Sequence, residues 1–70
     1  METGLVALAA ALAVGLTAIG TAMAQARIGA AGAGAVAERP EVAGTIIVME
    51  AIPETMVVLG FVVAVMLILG

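Results

Sequence analysis

The sequence predicts an all-α membrane protein, a hairpin of two transmembrane helices that oligomerises into a ring, and three observations predict it. Of the 70 residues, 66% are apolar and the mean hydropathy is +1.40, far from the make-up of a soluble domain. Two long segments, roughly residues 4–26 and 42–69, carry almost no polar side chains. Each is long enough to span a bilayer, since ~20 apolar residues rising ~1.5 Å apiece cover ~30 Å of hydrocarbon. Between them AERPEVAG, residues 37–44, is the chain's one concentrated polar segment, and it reads as the turn.

The first helix is predicted over about residues 4–37. Its opening, METGLVALAAALAVGLTAIGTAMAQA, has Ala22-Met23-Ala24 where a leader peptidase would cut. Leaders begin with positive charge and hold 7–15 apolar residues. This segment begins with Glu2 and stays apolar for about twenty, so it reads as a membrane span. Ala11, Gly15, Ala18, Ala22, Ala26, Gly29 and Ala33 recur every three or four residues. Such a small-residue stripe lets helix backbones approach closely in lipid. Gly32, Gly34 and Ala37 fit G-x-G-x-x-A, but that fingerprint needs a preceding strand and a βαβ unit, and here it runs into a charged turn.

The turn is predicted at residues 38–41, Glu38, Arg39, Pro40 and Glu41. Pro40 disfavours helix at the residue before it and suits the first turn of the next helix, whose positive end Glu41 then complements. Arg39 and Arg27 place this loop in the cytoplasm by the positive-inside rule. The second helix, over about residues 42–69, is rich in Val, Ile, Leu and Met, bulk that suits lipid. Thin helices inside and bulky ones outside make a wedge whose repetition closes a ring.

Counted from Pro40, Gln25 lies 15 residues back and Glu54 lies 14 residues forward. Both therefore sit ~21 to 23 Å from the turn, near mid-membrane. A bare carboxylate at that depth costs several kcal/mol, so it holds a proton or a cation. Pro53 lacks an N–H and deprives the Met49 carbonyl of its donor, which lets the helix bend beside Glu54. Thr55 adds a hydroxyl. These are hard oxygen donors, suited to H+ or an alkali cation and unsuited to a soft transition metal. Glu50, one turn before Glu54, is expected to form an ion pair with Arg27 or to serve as a second ion ligand. No resident cofactor is expected, and no metal beyond Na+ at Glu54. With no His or Cys and only two basic residues, the chain offers no nucleic-acid footprint.

GTIIVMEAIPETMVVLGF and QARIGAAGAGAVAERPE, at that spacing, resemble the proteolipid c subunit of rotary ATPases, called K in archaea, in the two-helix form of the archaeal and bacterial A/V-type enzymes. The resemblance covers essentially the whole chain. It implies a non-catalytic rotor-ring subunit in a prokaryotic cell membrane. Glu54 would carry the ion with Gln25 as partner, and the Thr55 hydroxyl and Ile52 carbonyl, from a neighbouring protomer, would complete the site. Implied partners are further copies of the chain, lipid, a stator subunit with an essential arginine, and central-stalk subunits meeting the loop of Glu38 to Glu41. Sodium-type members usually carry a tyrosine five residues after the carboxylate. Leu59 stands there and the chain has no Tyr, which tilts the expectation to H+. A self-assembling pore or holin-like hairpin, or a structural anchor, also needs two apolar helices, but neither needs Gln and Glu at matched depth.

Overall fold

The structure, a computed structural model, describes residues 2–70. Helix α1 spans Thr3–Glu38, a 3-10 turn follows at Pro40–Val42, and the chain returns through α2, Ala43–Ala51, and α3, Glu54–Leu69. The resulting hairpin is a slender body of 54 × 15 × 7 Å. Both limbs, Thr3–Glu38 and Pro40–Leu69, are long and apolar enough to cross a membrane.

The turn follows from Pro40. Arg39, ahead of it, is held extended at φ −137° and ψ 89°, because the proline ring crowds the helical region for its predecessor. The Arg39 N–H nevertheless donates to the Ala35 carbonyl at 2.8 Å, and the Val42 N–H donates to the Arg39 carbonyl at 3.1 Å. The chain therefore reverses with its backbone groups bonded. Glu38, Arg39, Pro40 and Glu41 are all exposed at this end.

The returning limb runs as α2 and α3 around a tightened turn at Ile52 and Pro53, whose backbone stays right-handed helical at φ −59°, ψ −47° and φ −61°, ψ −22°. The Ile52 N–H closes α2 on the Val48 carbonyl at 3.2 Å, and Pro53 then has no N–H to give. Beyond it the Thr55 and Met56 amides reach back three residues, to the Ile52 and Pro53 carbonyls, both at 3.1 Å. The ladder thus tightens at the break. Met49 loses its donor to proline, and Ala51 loses the Thr55 amide to Ile52.

A seam of Ala10, Val14, Thr17, Thr21, Gln25, Ile28 and Gly32 turns α1 toward the returning limb, each buried or half-buried. Opposite them Gly60 and Ala64 of α3 are buried. The approach is close: a Cβ on Gly60 would strike the Thr17 hydroxyl and lie 2.5 Å from the Ala13 carbonyl oxygen. The small-residue stripe of the sequence is a different face. Each of its seven members follows a seam residue by one position, a rotation of ~100°, and Ala11, Ala22, Ala26 and Ala33 stay exposed. Ala10 and Ala64 are the only apolar side chains buried among the described residues, while Leu8, Leu12, Ile19, Ile47, Leu59 and Phe61 are at least half exposed. One hairpin alone has no core of the soluble kind, so lipid and neighbouring chains must cover it.

Gly60→Ala should destabilise the packed hairpin by ~1–3 kcal/mol, because the new methyl meets backbone that cannot rotate away. Gly32→Ala should cost less, since its Cβ would meet side-chain atoms of Ile46 and no backbone, although the stiff χ1 of a helical isoleucine leaves some cost. Thermal unfolding in detergent should rank Gly60→Ala clearly below Gly32→Ala, and the reverse order would contradict this account of the seam.

Candidate functional site

The break in the returning limb lies level with Gln25 of α1. The Gln25 amide nitrogen donates twice, to the Glu50 carbonyl and to Glu54 Oε2, both at 3.0 Å. Two acceptors on the same nitrogen fix which end of the amide faces the carboxylate. One turn farther along α1, Thr21 is buried and its hydroxyl donates to the Pro53 carbonyl at 2.9 Å. Two side chains of α1 thus bond carbonyls on either side of the break, and the second bond of Gln25 orients Glu54.

Glu54 itself is exposed, at the first position of α3. It borders an open groove of about 750 Å3 that Gln25, Glu50 and Thr55 also line, with Ile47, Val58 and Leu59 as apolar walls. The Thr55 hydroxyl donates to the Ile52 carbonyl at 2.8 Å, the same oxygen that accepts the Thr55 N–H. Within one chain, Thr55 and Ile52 therefore satisfy each other and neither bonds Glu54.

Glu50 departs from the expected pairing with Arg27. Its carboxylate lies against Gly29, with Oε2 3.2 Å from where a Cβ on that glycine would be, and Oε1 is buried without a hydrogen-bond partner. Arg27 is exposed. The two residues cannot meet in one chain because Arg27 and Gly29 are two positions apart, ~160° round the helix. The contribution of Thr21 was not anticipated from the sequence. Its only signal is position, one turn before Gln25 on the same face, with Pro53 opposite.

Residues 8–67 match the model of the ATP synthase C-subunit family. The chain is also similar to the A-type ATP synthase subunit K of Methanocaldococcus jannaschii, with 44% identity over 61 residues that make up 87% of this chain and 28% of that protein. The chain therefore spans little more than a quarter of the length of the curated relative it matches.

Thr21→Val keeps the shape of the side chain but removes the donor to the Pro53 carbonyl. The Pro53 carbonyl keeps the Met56 N–H, so the loss is that of one hydrogen bond, ~0.5–1.5 kcal/mol, and detergent-solubilised Thr21→Val should unfold at lower temperature than the parent. A Thr21→Ser variant, which keeps the hydroxyl, should recover part of that loss. Equal stability of Thr21→Val and the parent would mean that the break does not depend on this bond.

Proposed function

The chain belongs to the ATP synthase C-subunit family, and from that premise we propose that it is the ion-carrying, non-catalytic rotor-ring subunit of a rotary ATP synthase or ATPase in a prokaryotic cell membrane. The observation that carries this reading is the 3.0 Å hydrogen bond from Gln25 to Glu54, halfway along two apolar spans. Neither a pore-forming hairpin nor a passive anchor has a use for an oriented carboxylate there.

Glu54 is the carrier. Charged and alone it could not face hydrocarbon, and neutralised by an ion it can. Each copy is loaded at one half-channel of a stator subunit, travels round the ring facing lipid, and discharges at the other. An arginine on the stator, absent from this chain, would displace the ion electrostatically. The loop of Glu38, Arg39, Pro40 and Glu41 meets the central stalk on the cytoplasmic side. ATP chemistry belongs to other subunits.

The transported ion is H+. Gln25 presents its N–H2 end to Glu54, and that end has donors and no lone pair for a metal cation. The Ile52 carbonyl, which a Na+ site would recruit, already accepts both the N–H and the hydroxyl of Thr55. A proton needs only a free carboxylate oxygen, and Glu54 Oε2 is the one that Gln25 engages.

A carbodiimide, which attacks the protonated acid, should modify Glu54 selectively among the five acidic residues, and modification should slow as pH rises. Low-millimolar Na+ should give little protection at neutral pH, and strong protection would overturn the assignment to H+. Glu54→Gln should leave the ring intact and abolish coupled transport, because an amide can sit in lipid but cannot exchange a proton at neutral pH. Uniform labelling of all glutamates, with transport retained in Glu54→Gln, would favour the pore or the anchor.

The exposed stripe makes a separate prediction about assembly. Ala22→Leu adds a branched side chain at a position its own hairpin leaves exposed, so the hairpin should fold while close helix packing between copies is lost. Electron micrographs of the extracted protein should show rings for the parent and none for this variant.

A further inference from the structure

Among the described residues Arg27 and Glu50 form no ion pair within their own hairpin, and they lie on opposite flanks of α1. Arg27 precedes the seam residue Ile28 by one position, on the flank that also carries Ala24 and Ala31. The Glu50 carboxylate lies at the other flank, beside Gly29 of the small-residue stripe, with Oε1 buried and unbonded and Oε2 facing the glycine. Gly29 follows Ile28 by one position, so the flanks are ~160° apart. An arginine at bilayer depth needs a counter-charge, and its own hairpin cannot turn one toward it.

In a ring, every contact is head to tail, so one flank of each α1 meets the opposite flank of the next. Symmetry keeps all copies at one height. The Arg27 Cα of a neighbour then stands two residues, ~3 Å along the axis, from the level of Gly29 and the Glu50 carboxylate. That is well within reach of a long, flexible side chain. Gly29 is the notch that admits it, since any Cβ there would press on Glu50 Oε2.

We infer that Arg27 of each copy enters the Gly29 notch of the next and pairs with its Glu50, a charge bolt between neighbouring chains just below the level of the ion-carrying carboxylate. This rests on the ring reading of the preceding subsection. The occupant of the flank is a second copy of this chain, chosen by charge complementarity. The pair gives Glu50 a fixed structural role and keeps its negative charge from competing with Glu54 for the transported ion. It also fixes vertical register, because a one-turn slip would separate the charges by ~5.4 Å.

The chain has no cysteine, so Arg27→Cys and Glu50→Cys together place two unique thiols on each copy. Treated in membranes with a short bifunctional maleimide, the double variant should give a ladder of covalent multimers, whereas either single variant, with one thiol per copy, should give nothing larger than a dimer. A cross-link confined within monomers, or no cross-link, would overturn the inference. Should the double-cysteine chain fail to assemble, a second measurement decides. Arg27→Gln and Glu50→Gln should each lower the dissociation temperature of the detergent-solubilised ring, and the double Gln variant should lose no more than the worse single one. Additive losses would overturn the pair. If the unmodified protein forms no ring at all, the ring reading fails and this inference fails with it. If it forms a ring and the cross-link is absent, only the bolt fails.

Discussion

Hydrocarbon supplies no hydrogen bonds, so each polar group carried into the bilayer must find its partner inside the protein. Pro53 makes that constraint acute by removing a backbone donor near mid-membrane. From the opposite helix the Gln25 amide bonds the Glu50 carbonyl, and the Thr21 hydroxyl bonds the Pro53 carbonyl beside the Met56 N–H that it also accepts. These bonds tie α1 to the two halves of the returning limb and fix their relative height. Glu54 inherits its position from them, because the amide that bonds the Glu50 carbonyl also bonds the carboxylate.

The faces of α1 divide the labour of assembly. The seam packs the hairpin and needs small residues where backbones converge, as at Gly32 and opposite Gly60. A second set of small residues, offset by one position, leaves Ala11, Ala22, Ala26 and Ala33 exposed and available to another chain. Bulky residues such as Leu8, Leu12 and Ile19 project elsewhere, at least half exposed. Nearly everything the hairpin buries is small, so its own packing contributes little and association must supply the rest. A rotor gains from that arrangement, since the stiffness resides in the contacts between identical copies.

The two glutamates one turn apart illustrate how environment separates like chemistry. Both line the open groove, but Glu54 is exposed and held by one donor, whereas Glu50 is half-buried, its carboxylate against Gly29 and its Oε1 buried without a hydrogen-bond partner among the described residues. A group that must exchange its ion has to be accessible.

Much of this was legible in the sequence because membrane helices obey counting rules. Hydropathy and length determined two spans, Pro40 determined the turn, and equal distances from it brought Gln25 and Glu54 to one depth, where the structure finds them bonded. Counting along a helix yields height but gives azimuth only when the partner's face is known. Thr21 was therefore missed, Arg27 and Glu50 were matched by level although they lie on different flanks, and the stripe could not be told from the seam one residue away. Tertiary structure decided these points, because only the packing of α1 on α2 and α3 fixes the rotation of each helix about its own axis. At the tightened turn of Ile52 and Pro53 the sequence implied only the lost donor to Met49. That the side chains of α1 reach the Glu50 and Pro53 carbonyls was decided by the tertiary packing, which sets the face α1 turns to this level.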